Sequence, residues 1–400
     1  MRVLSLFDGM ACGMLAMQAA GITADRYVAF EIDKYAVQTS SHNFPLIEHK
    51  GDVFQADFTE YFGFDFLVGG SPCTYWSIAQ KNNRETEASG IGWELFCQYV
   101  RALHEAKPMY FIYENNKSMS AAIRESISST FGFEPICINS ALVSAQNRQR
   151  LYWVGKCNDD GTYSRVGVEQ PEDRGVLLKH ILEDGCFVDK EKAYCLKHQA
   201  GNARDYFKKH HTQIKFEPVN TTTDGKSRTL IAGYHKQGIE NCCGFVGFGS
   251  SGVAEPVGVG YRGRMNDGRW VKKYESNGEE KANALTTAQT DSMVAIPIEF
   301  DNEKPIKAIS ASDGKAYAVY EVKDGQITIN GKTYPIKLAD GFYIIRKLTV
   351  RECKRLQTVP EWYEFPVSDT QAYKMLGNGW TVLVIAHLIK ATQADEFEEE

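Results

Sequence analysis

Hydrophobic positions along the first 160 residues follow two alternating patterns. Short, mostly apolar runs are separated by longer stretches whose apolar positions recur three and four apart, the spacings of a buried strand and of an amphipathic helix. The expected strands are 3–7, 27–32, 64–69, 109–114, 135–142 and 151–155, and the expected helices 10–20, 34–43, 93–106 and 118–131. Strands alternating with helices predict an α/β domain with a mostly parallel sheet and helices on both faces. From about Asn158 the texture changes to glycine, threonine and charge with short β-like runs, and eight glycines fall between Gly244 and Gly268. A smaller, loop- and β-rich domain is expected there, with 320–336 as one hairpin that alternates Ile327 and Ile329 around Asn330-Gly331. Helical spacing returns after Arg346 and ends in 381–393, so the chain is expected to rejoin its first domain. The expected division is therefore 1–160 with 345–400, and 161–344.

Composition narrows the class. With 43% hydrophobic and 24% charged residues, a 400-residue chain can bury one large core and a smaller one. No apolar run reaches the roughly 18 residues of a membrane span, and residues 1–7 enter a strand pattern with no basic segment ahead of it. A cytoplasmic protein with no membrane partner is expected. The ten cysteines are scattered, so free thiols in a reducing compartment are the default. Cys242-Cys243 and His210-His211 lack ligand spacing, and no metal is expected. The net charge of −6 speaks weakly against a polyanion partner, yet 13 Lys and Arg face 9 Asp and Glu between Arg204 and Lys281.

Candidate chemistry gathers at the ends of the expected strands. Strand 3–7 runs into Asp8-Gly9-Met10-Ala11-Cys12-Gly13 and a helix, where a parallel sheet presents a glycine turn to a nucleotide-like ligand. Close helix–strand packing explains such a glycine equally well. Glu31, at the end of the next strand, stands where an acid accepts hydrogen bonds from ribose hydroxyls, and Asp52 adds a third polar group. Together they favour an adenosine-bearing ligand. Strand 64–69 opens into Gly70-Ser71-Pro72-Cys73, a loop that can present a thiolate nucleophile, although a cysteine is more often a small buried filler. Glu114 ends strand 109–114; a cap or ion pair is its plainer role. Arg148 and Arg150 in Gln146-Asn147-Arg148-Gln149-Arg150 alternate along one strand and can face one site, though exposed arginines are commonly just solvated. Thiol, carboxylate and guanidinium together suit alkylation of cytosine C5. A thiolate added to C6 makes C5 an enamine carbon, while an acid at N3 and an arginine at O2 offset the developing negative charge.

The ordered set Phe7-Asp8-Gly9, Gly70-Ser71-Pro72-Cys73, Glu114-Asn115, Gln146 to Arg150, Arg346 to Glu352 with Leu356-Gln357 and Pro360, and Leu376-Gly377-Asn378-Gly379-Trp380 resembles the cytosine-C5 DNA methyltransferases. The first segment is most similar to the animal de novo branch, although a bacterial or bacteriophage source, with no chromatin-reading module ahead of residue 1, is expected. The resemblance implies a Rossmann-like methyltransferase domain dependent on S-adenosyl-L-methionine (SAM), with the second domain recognising the target. It implies Cys73 as nucleophile, Glu114 at N3, Arg150 at O2 and Arg148 beside it, ordering the loop or a phosphate. Phe7, Asp8, Gly9, Gly13, Glu31, Ile32, Asp52, Val53, Pro72, Asn378 and Trp380 would surround SAM. Ser77, Arg228, Arg262, Arg264 and Arg269 are the expected DNA contacts. The implied enzyme is a monomer that flips a cytosine out of double-stranded DNA and methylates it at a specific sequence, as protection from restriction or alongside a cognate endonuclease.

Two departures bear on function. Thr74 stands where glutamine commonly follows the cysteine, and Asn116 where valine follows Glu-Asn. Asn116 raises the alternative that a group other than methyl is transferred from a modified sulfonium donor. A tRNA cytosine-5 methyltransferase is the second alternative. A non-catalytic scaffold and a nicotinamide dehydrogenase explain fewer of these residues.

Overall fold

The computed structural model describes residues 1–77, 84–183, 257–266, 269–276, 282–283, 293–298, 308–310, 316–329, 331–336, 338 and 340–397. Two compact units emerge. Met1–Val176 and Cys353–Glu400 supply one, and the chain within Leu177–Glu352 most of the other.

The first unit is an open twisted sheet of β1 (Arg2–Leu6), β2 (Arg26–Phe30), β3 (Glu48–His49), β4 (Phe66–Gly69), β5 (Tyr110–Asn116), β6 (Ile136–Asn139), β7 (Gln149–Cys157) and β8 (Tyr163–Arg165). The spatial order is β3-β2-β1-β4-β5-β7-β6, with β8 paired to the Gly155–Cys157 end of β7. Strands β1 to β5 pair in parallel with one another, whereas β7 runs antiparallel to both β5 and β6. Strand β5 is buried along its whole length, as expected of a central strand covered on both faces. Helices α1 (Cys12–Ala20), α2 (Lys34–Asn43), α3 (Gly90–Ala106) and α4 (Ala121–Phe131) connect the parallel strands or flank them. In α3 the buried positions Phe96, Tyr99, Leu103 and Ala106 recur at three and four residues, and they meet Phe111, Tyr113 and Phe131 in one aromatic cluster. The Tyr99 hydroxyl donates to the Leu67 and Ile112 carbonyls, so this buried polar group is satisfied within the sheet.

The chain re-enters this unit through α5 (Val350–Leu356), followed by α6 (Asp369–Asn378) and α7 (Val382–Phe397). Thr349-Val350-Arg351-Glu352 starts α5 as a capping box: Thr349 Oγ1 accepts from Glu352 N at 3.1 Å, and Glu352 Oε2 accepts from Thr349 N at 2.8 Å. Arg346 donates to both Glu352 oxygens, at 2.8 and 2.7 Å, so a fully buried carboxylate keeps its charge partner.

The second unit is a mostly antiparallel sheet of β9 (Val257–Asn266), β10 (Arg269–Ser276), β11 (Met293–Ile298), β12 (Ala308–Ser310), β13 (Ala316–Lys323), β14 (Gln326–Ile329), β15 (Lys332–Pro335) and β16 (Gly341–Lys347). Its order is β10-β9-β11-β16-β13-β14-β15, with β12 paired to β13. The pattern at 320–336 folds as two successive hairpins, since β14 pairs with both β13 and β15. Both unit boundaries lie later in the chain than 160 and 345. Strand β8 pairs with β7, and Val166 and Arg174 bond the backbone of Val154 and Leu142, which holds 161–176 to the first sheet. Strand β16 pairs with β11 and β13, which holds 341–347 to the second.

Candidate active site

Parallel strands bring their carboxyl ends to one edge, so the loops after β1, β2, β4 and β5 gather there. Because β7 runs the other way, its first residues reach the same edge, with Arg150 opposite Asn116 and Tyr152 opposite Glu114. That reversal places Arg150 diagonally across from Glu114 on one face. Arg150 Nε lies 3.1 Å from Glu114 Oε1, with the two side chains 16% and 11% exposed. Glu114 Oε2 accepts from the Trp380 indole N–H at 3.0 Å. Both carboxylate oxygens are thus held, one by a cation and one by a neutral donor. Gly70 lies against the same group, where an added Cβ would come 2.7 Å from the Glu114 carbonyl oxygen and 2.9 Å from Oε2. Only glycine lets the loop pass there.

That loop is tied to β5. Asn115 Nδ2 donates to the Ser71 carbonyl at 3.2 Å, and the Ser71 and Tyr113 hydroxyls are 2.7 Å apart. Cys73 begins a single 3₁₀ turn, Cys73–Tyr75, at its end. Beyond it Trp76 donates to Glu85 Oε2 at 2.9 Å and Glu85 Oε1 accepts from Gly92 N at 3.1 Å, anchoring the segment that carries Thr74 and Ser77 to the start of α3. Asn116 is buried; its amide nitrogen donates to Asn115 Oδ1 at 3.3 Å and its oxygen accepts from Ser118 at 2.7 Å. These bonds place Asn116 among the braces of its own loop.

The loop after β1 is conformationally unusual, with Phe7, Gly9 and Ala11 all in the left-handed region at φ of 58°, 60° and 60°. Left-handed backbone at Phe7 and Ala11 costs of order 1–3 kcal/mol each and persists only where surroundings enforce it. One enforcing contact is Glu31, whose Oε2 accepts from Gly9 N at 2.8 Å while Oε1 accepts from Ile32 N and Asp33 N. Glu31 therefore joins the β1 and β2 loops, and Ile32 beside it is 77% exposed. Asp52 Oδ1 caps the turn Val53–Gln55 through Phe54 N, and Val53 is buried. Asp8 is buried, and its Oδ1 accepts from Ser5 at 2.6 Å and from Tyr27 at 2.7 Å. Asp8 Oδ2 is buried with no hydrogen-bond partner, and burial pushes the carboxyl up to about 6. Gly13 sits directly beneath the Tyr27 hydroxyl.

Arg148 does not continue the alternation that Arg150 follows. It is buried, and its guanidinium donates to the Gly377 and Gly379 carbonyls at 3.2 and 2.9 Å. The physical reason is that β7 begins at Gln149, so Arg148 lies ahead of the strand and its alternation. Gln357, which the sequence left without a role, donates to the Leu376 and Gly379 carbonyls, and Thr381 donates to its oxygen. These residues fix the turn after α6 that carries Trp380, and Asn378 ends that helix in an exposed position. Ser5, Tyr27 and Gln357 are residues that sequence reasoning missed; the apolar run of β2 marks Tyr27 as buried, but nothing marks its partner. Arg228, like the Cys242-Cys243 and His210-His211 pairs, lies outside the described residues. No cluster of metal-binding side chains occurs among the described residues, where Cys12, Cys97, Cys137, Cys157 and Cys353 are free thiols.

The comparison with known families decides the class, because the profile of the C-5 cytosine-specific DNA methylases matches residues 1–394. The chain belongs to that family. It is a DNA cytosine methyltransferase with phage and bacterial relatives. It is 24% identical to the orphan methyltransferase M.SPRI of Bacillus phage SPR, over 98% of this chain and 97% of that protein. It is also 24% identical to the type II methyltransferase M.BanI of Aneurinibacillus aneurinilyticus, over 90% of this chain and 87% of that one. Two solved structures share the fold of this methylase. A Spodoptera frugiperda DNMT2 has a TM-score of 0.52 at 16% identity over 98% of both chains. An E. coli prophage-encoded DNA modification methyltransferase has a TM-score of 0.50 at 16% identity, covering 98% of this chain and 99% of its own. No helix among the described residues is long and apolar enough to cross a membrane.

Proposed function

We propose that this methylase transfers a methyl group from SAM to C5 of a cytosine flipped out of duplex DNA, at a defined sequence, through a covalent bond between Cys73 and C6. The arrangement that carries the reading is the Glu114 carboxylate held between Arg150 and Trp380 at the edge where the Cys73 loop begins. Flipping is required because C5 and C6 are out of reach in the stack. The Cys73 thiolate adds to C6 and C5 becomes an enamine carbon. Glu114 holds the proton at N3, and the Arg150 guanidinium offsets charge at O2, so addition does not leave an unstabilised anion. Once C5 is alkylated, loss of its proton and departure of the thiolate restore the ring.

The loops after β1 and β2 fit a cationic, adenosine-bearing donor. Asp8 offers a carboxyl oxygen with no partner, and the apolar Ile32 is exposed next to Glu31. Phe7 to Gly9, Gly13, Glu31, Ile32, Asp52, Val53, Pro72 and Asn378 would hold SAM, and when bound it supplies an electrophilic methyl. Arg148 acts by fixing the turn at Gly377–Gly379. The second unit recognises the target, using Arg262, Arg264 and Arg269 with Ser77 and Arg228. Such marking protects DNA from restriction, alone or beside a cognate endonuclease. The test is to incubate wild-type and Cys73→Ala protein with SAM and either duplex DNA or tRNA, then map 5-methylcytosine base by base. Methylation of DNA at one short motif by wild type alone is expected. Methylation of tRNA instead, or a different mass increment on cytosine, overturns this reading.

A further inference from the structure

Helix α3 turns two faces to the rest of its unit. Tyr99, Ala102, Leu103 and Ala106 enter the core, while the half-buried Gln98, Arg101 and Glu105, three and four residues apart, form a polar stripe along its flank. That stripe meets the segment after β3. The Arg101 guanidinium uses all three of its nitrogens: Nη2 donates to the Val53 carbonyl at 2.8 Å, Nη1 to the Ala56 carbonyl at 2.9 Å, and Nε to Gln98 Oε1 at 2.9 Å. Its central carbon lies 4.5 Å from the centre of the Phe58 ring, and Glu105 Oε2 accepts from Phe58 N at 3.2 Å.

We propose that Arg101 is a positioning residue for the methyl donor, holding the Asp52–Val53 turn in the shape that receives it. The turn is closed by local bonds, with Phe54 N donating to Asp52 Oδ1 at 3.0 Å, Gln55 N to the Asp52 carbonyl at 3.1 Å and Ala56 N to the Val53 carbonyl at 3.4 Å. Local bonds fold a turn but do not locate it; the Arg101 fork ties a carbonyl at each end of it to a long helix. The plainer role is an exposed ion pair with Glu105 one helical turn on. Yet the Nη1 that lies 3.5 Å from the Glu105 carboxylate is nearer, at 2.9 Å, to the Ala56 carbonyl, so the fork is aimed at the turn. The start of α3 is fixed as well, since Gly92 N donates to Glu85 Oε1 and Glu85 Oε2 accepts from Trp76. From Gly92 to Arg101 the axis runs about 14 Å at 1.5 Å per residue. One rigid element therefore anchors the segment that carries Cys73 at one end and the donor turn further along, and transfer between two bound groups requires such a fixed relation.

The proposal rests on the reading that Asp52 and Val53 receive the donor. Calorimetric titration of the full-length protein with S-adenosyl-L-homocysteine, the product form of the donor, tests it for wild type, Arg101→Ala, Arg101→Lys, Asp52→Ala and Tyr99→Phe, each with thermal melting. Apparent affinity falls with the fraction of time the turn holds its competent shape. Arg101→Ala is expected to raise Kd about tenfold, the effect of one charge-assisted hydrogen bond. Arg101→Lys is expected to do nearly the same, because an ammonium has no fork to span two carbonyls. In methyl transfer both variants should raise KM for the donor and leave kcat at saturating donor within about twofold. Tyr99→Phe loses bonds to the Leu67 and Ile112 carbonyls on the same helix and is expected to lower Tm with Kd unchanged, which separates position from stability. A Kd raised as much by Tyr99→Phe, or restored to the wild-type value in Arg101→Lys, overturns the clamp. So does a wild-type Kd in both Arg101 variants when Asp52→Ala weakens binding. A wild-type Kd in Asp52→Ala as well overturns the reading of the turn, and the proposal with it.

Discussion

Trp380 separates two accounts of the site. The sequence places it beside the donor, whereas the structure gives its indole N–H to Glu114 Oε2 at 3.0 Å. Trp380→Phe keeps an aromatic ring and deletes that donor. Hydrogen bonds to charged groups contribute about 1.5–3 kcal/mol. Trp380 is only half-buried and Glu114 retains Arg150 at 3.1 Å, so the lower end applies. About 1.5 kcal/mol corresponds to roughly tenfold in rate. The expected outcome is a kcat for methyl transfer about tenfold lower, with KM for the donor within about twofold, because the lost bond acts on the carboxylate at N3. Steady-state transfer to a duplex oligonucleotide, with donor and DNA varied separately, measures both. An unchanged kcat with donor KM raised about tenfold refutes the reasoning, since Trp380 would then serve only as a wall of the donor site.

Asp8 makes stability pH-dependent. Its carboxyl rises from 3.8 to about 6 on folding, so the folded state holds the proton more tightly and stability is fully present below about pH 4. That stability is lost as pH rises through 6, by about 3 kcal/mol at most. Asp8→Asn is expected to flatten the fall in Tm between pH 4 and 7, and an unaltered fall contradicts the assignment. Gly13→Ala drives a Cβ into the Tyr27 hydroxyl and is expected to destabilise by about 1–3 kcal/mol. Adding Tyr27→Phe should recover at least about 1 kcal/mol in denaturant unfolding, and strict additivity of the two changes argues against that contact.

Much of the first unit was legible because its central strands are buried on both faces and read as apolar runs. Helix α2 coincides with the stretch 34–43, and the strand ends at Gly69 and near Glu114 lead into the two candidate loops. Direction was not legible: the alternation of β7 is the same whichever way it runs, yet its reversal is what brings Arg150 to Glu114. Glu48–His49 escaped because two residues carry no period. The partners of Arg148 were not legible for a different reason. Its partners are backbone carbonyls at Gly377 and Gly379, far along the chain, and carbonyls leave no mark in a sequence. The unpartnered Asp8 oxygen depends likewise on Tyr27 and Ser5 converging on Oδ1 alone.

The central claim is that the Cys73 thiolate bonds to cytosine C6, and the most direct measurement traps that bond. Duplex DNA bearing 5-fluorocytosine in the methylated motif cannot lose its C5 substituent as a proton, so the covalent species should accumulate in the presence of SAM. Intact-mass and peptide analysis of the denatured protein is expected to show one oligonucleotide per chain on the peptide containing Cys73, and none with Cys73→Ala. An active wild type that yields no adduct, or an adduct that survives Cys73→Ala, would contradict the account.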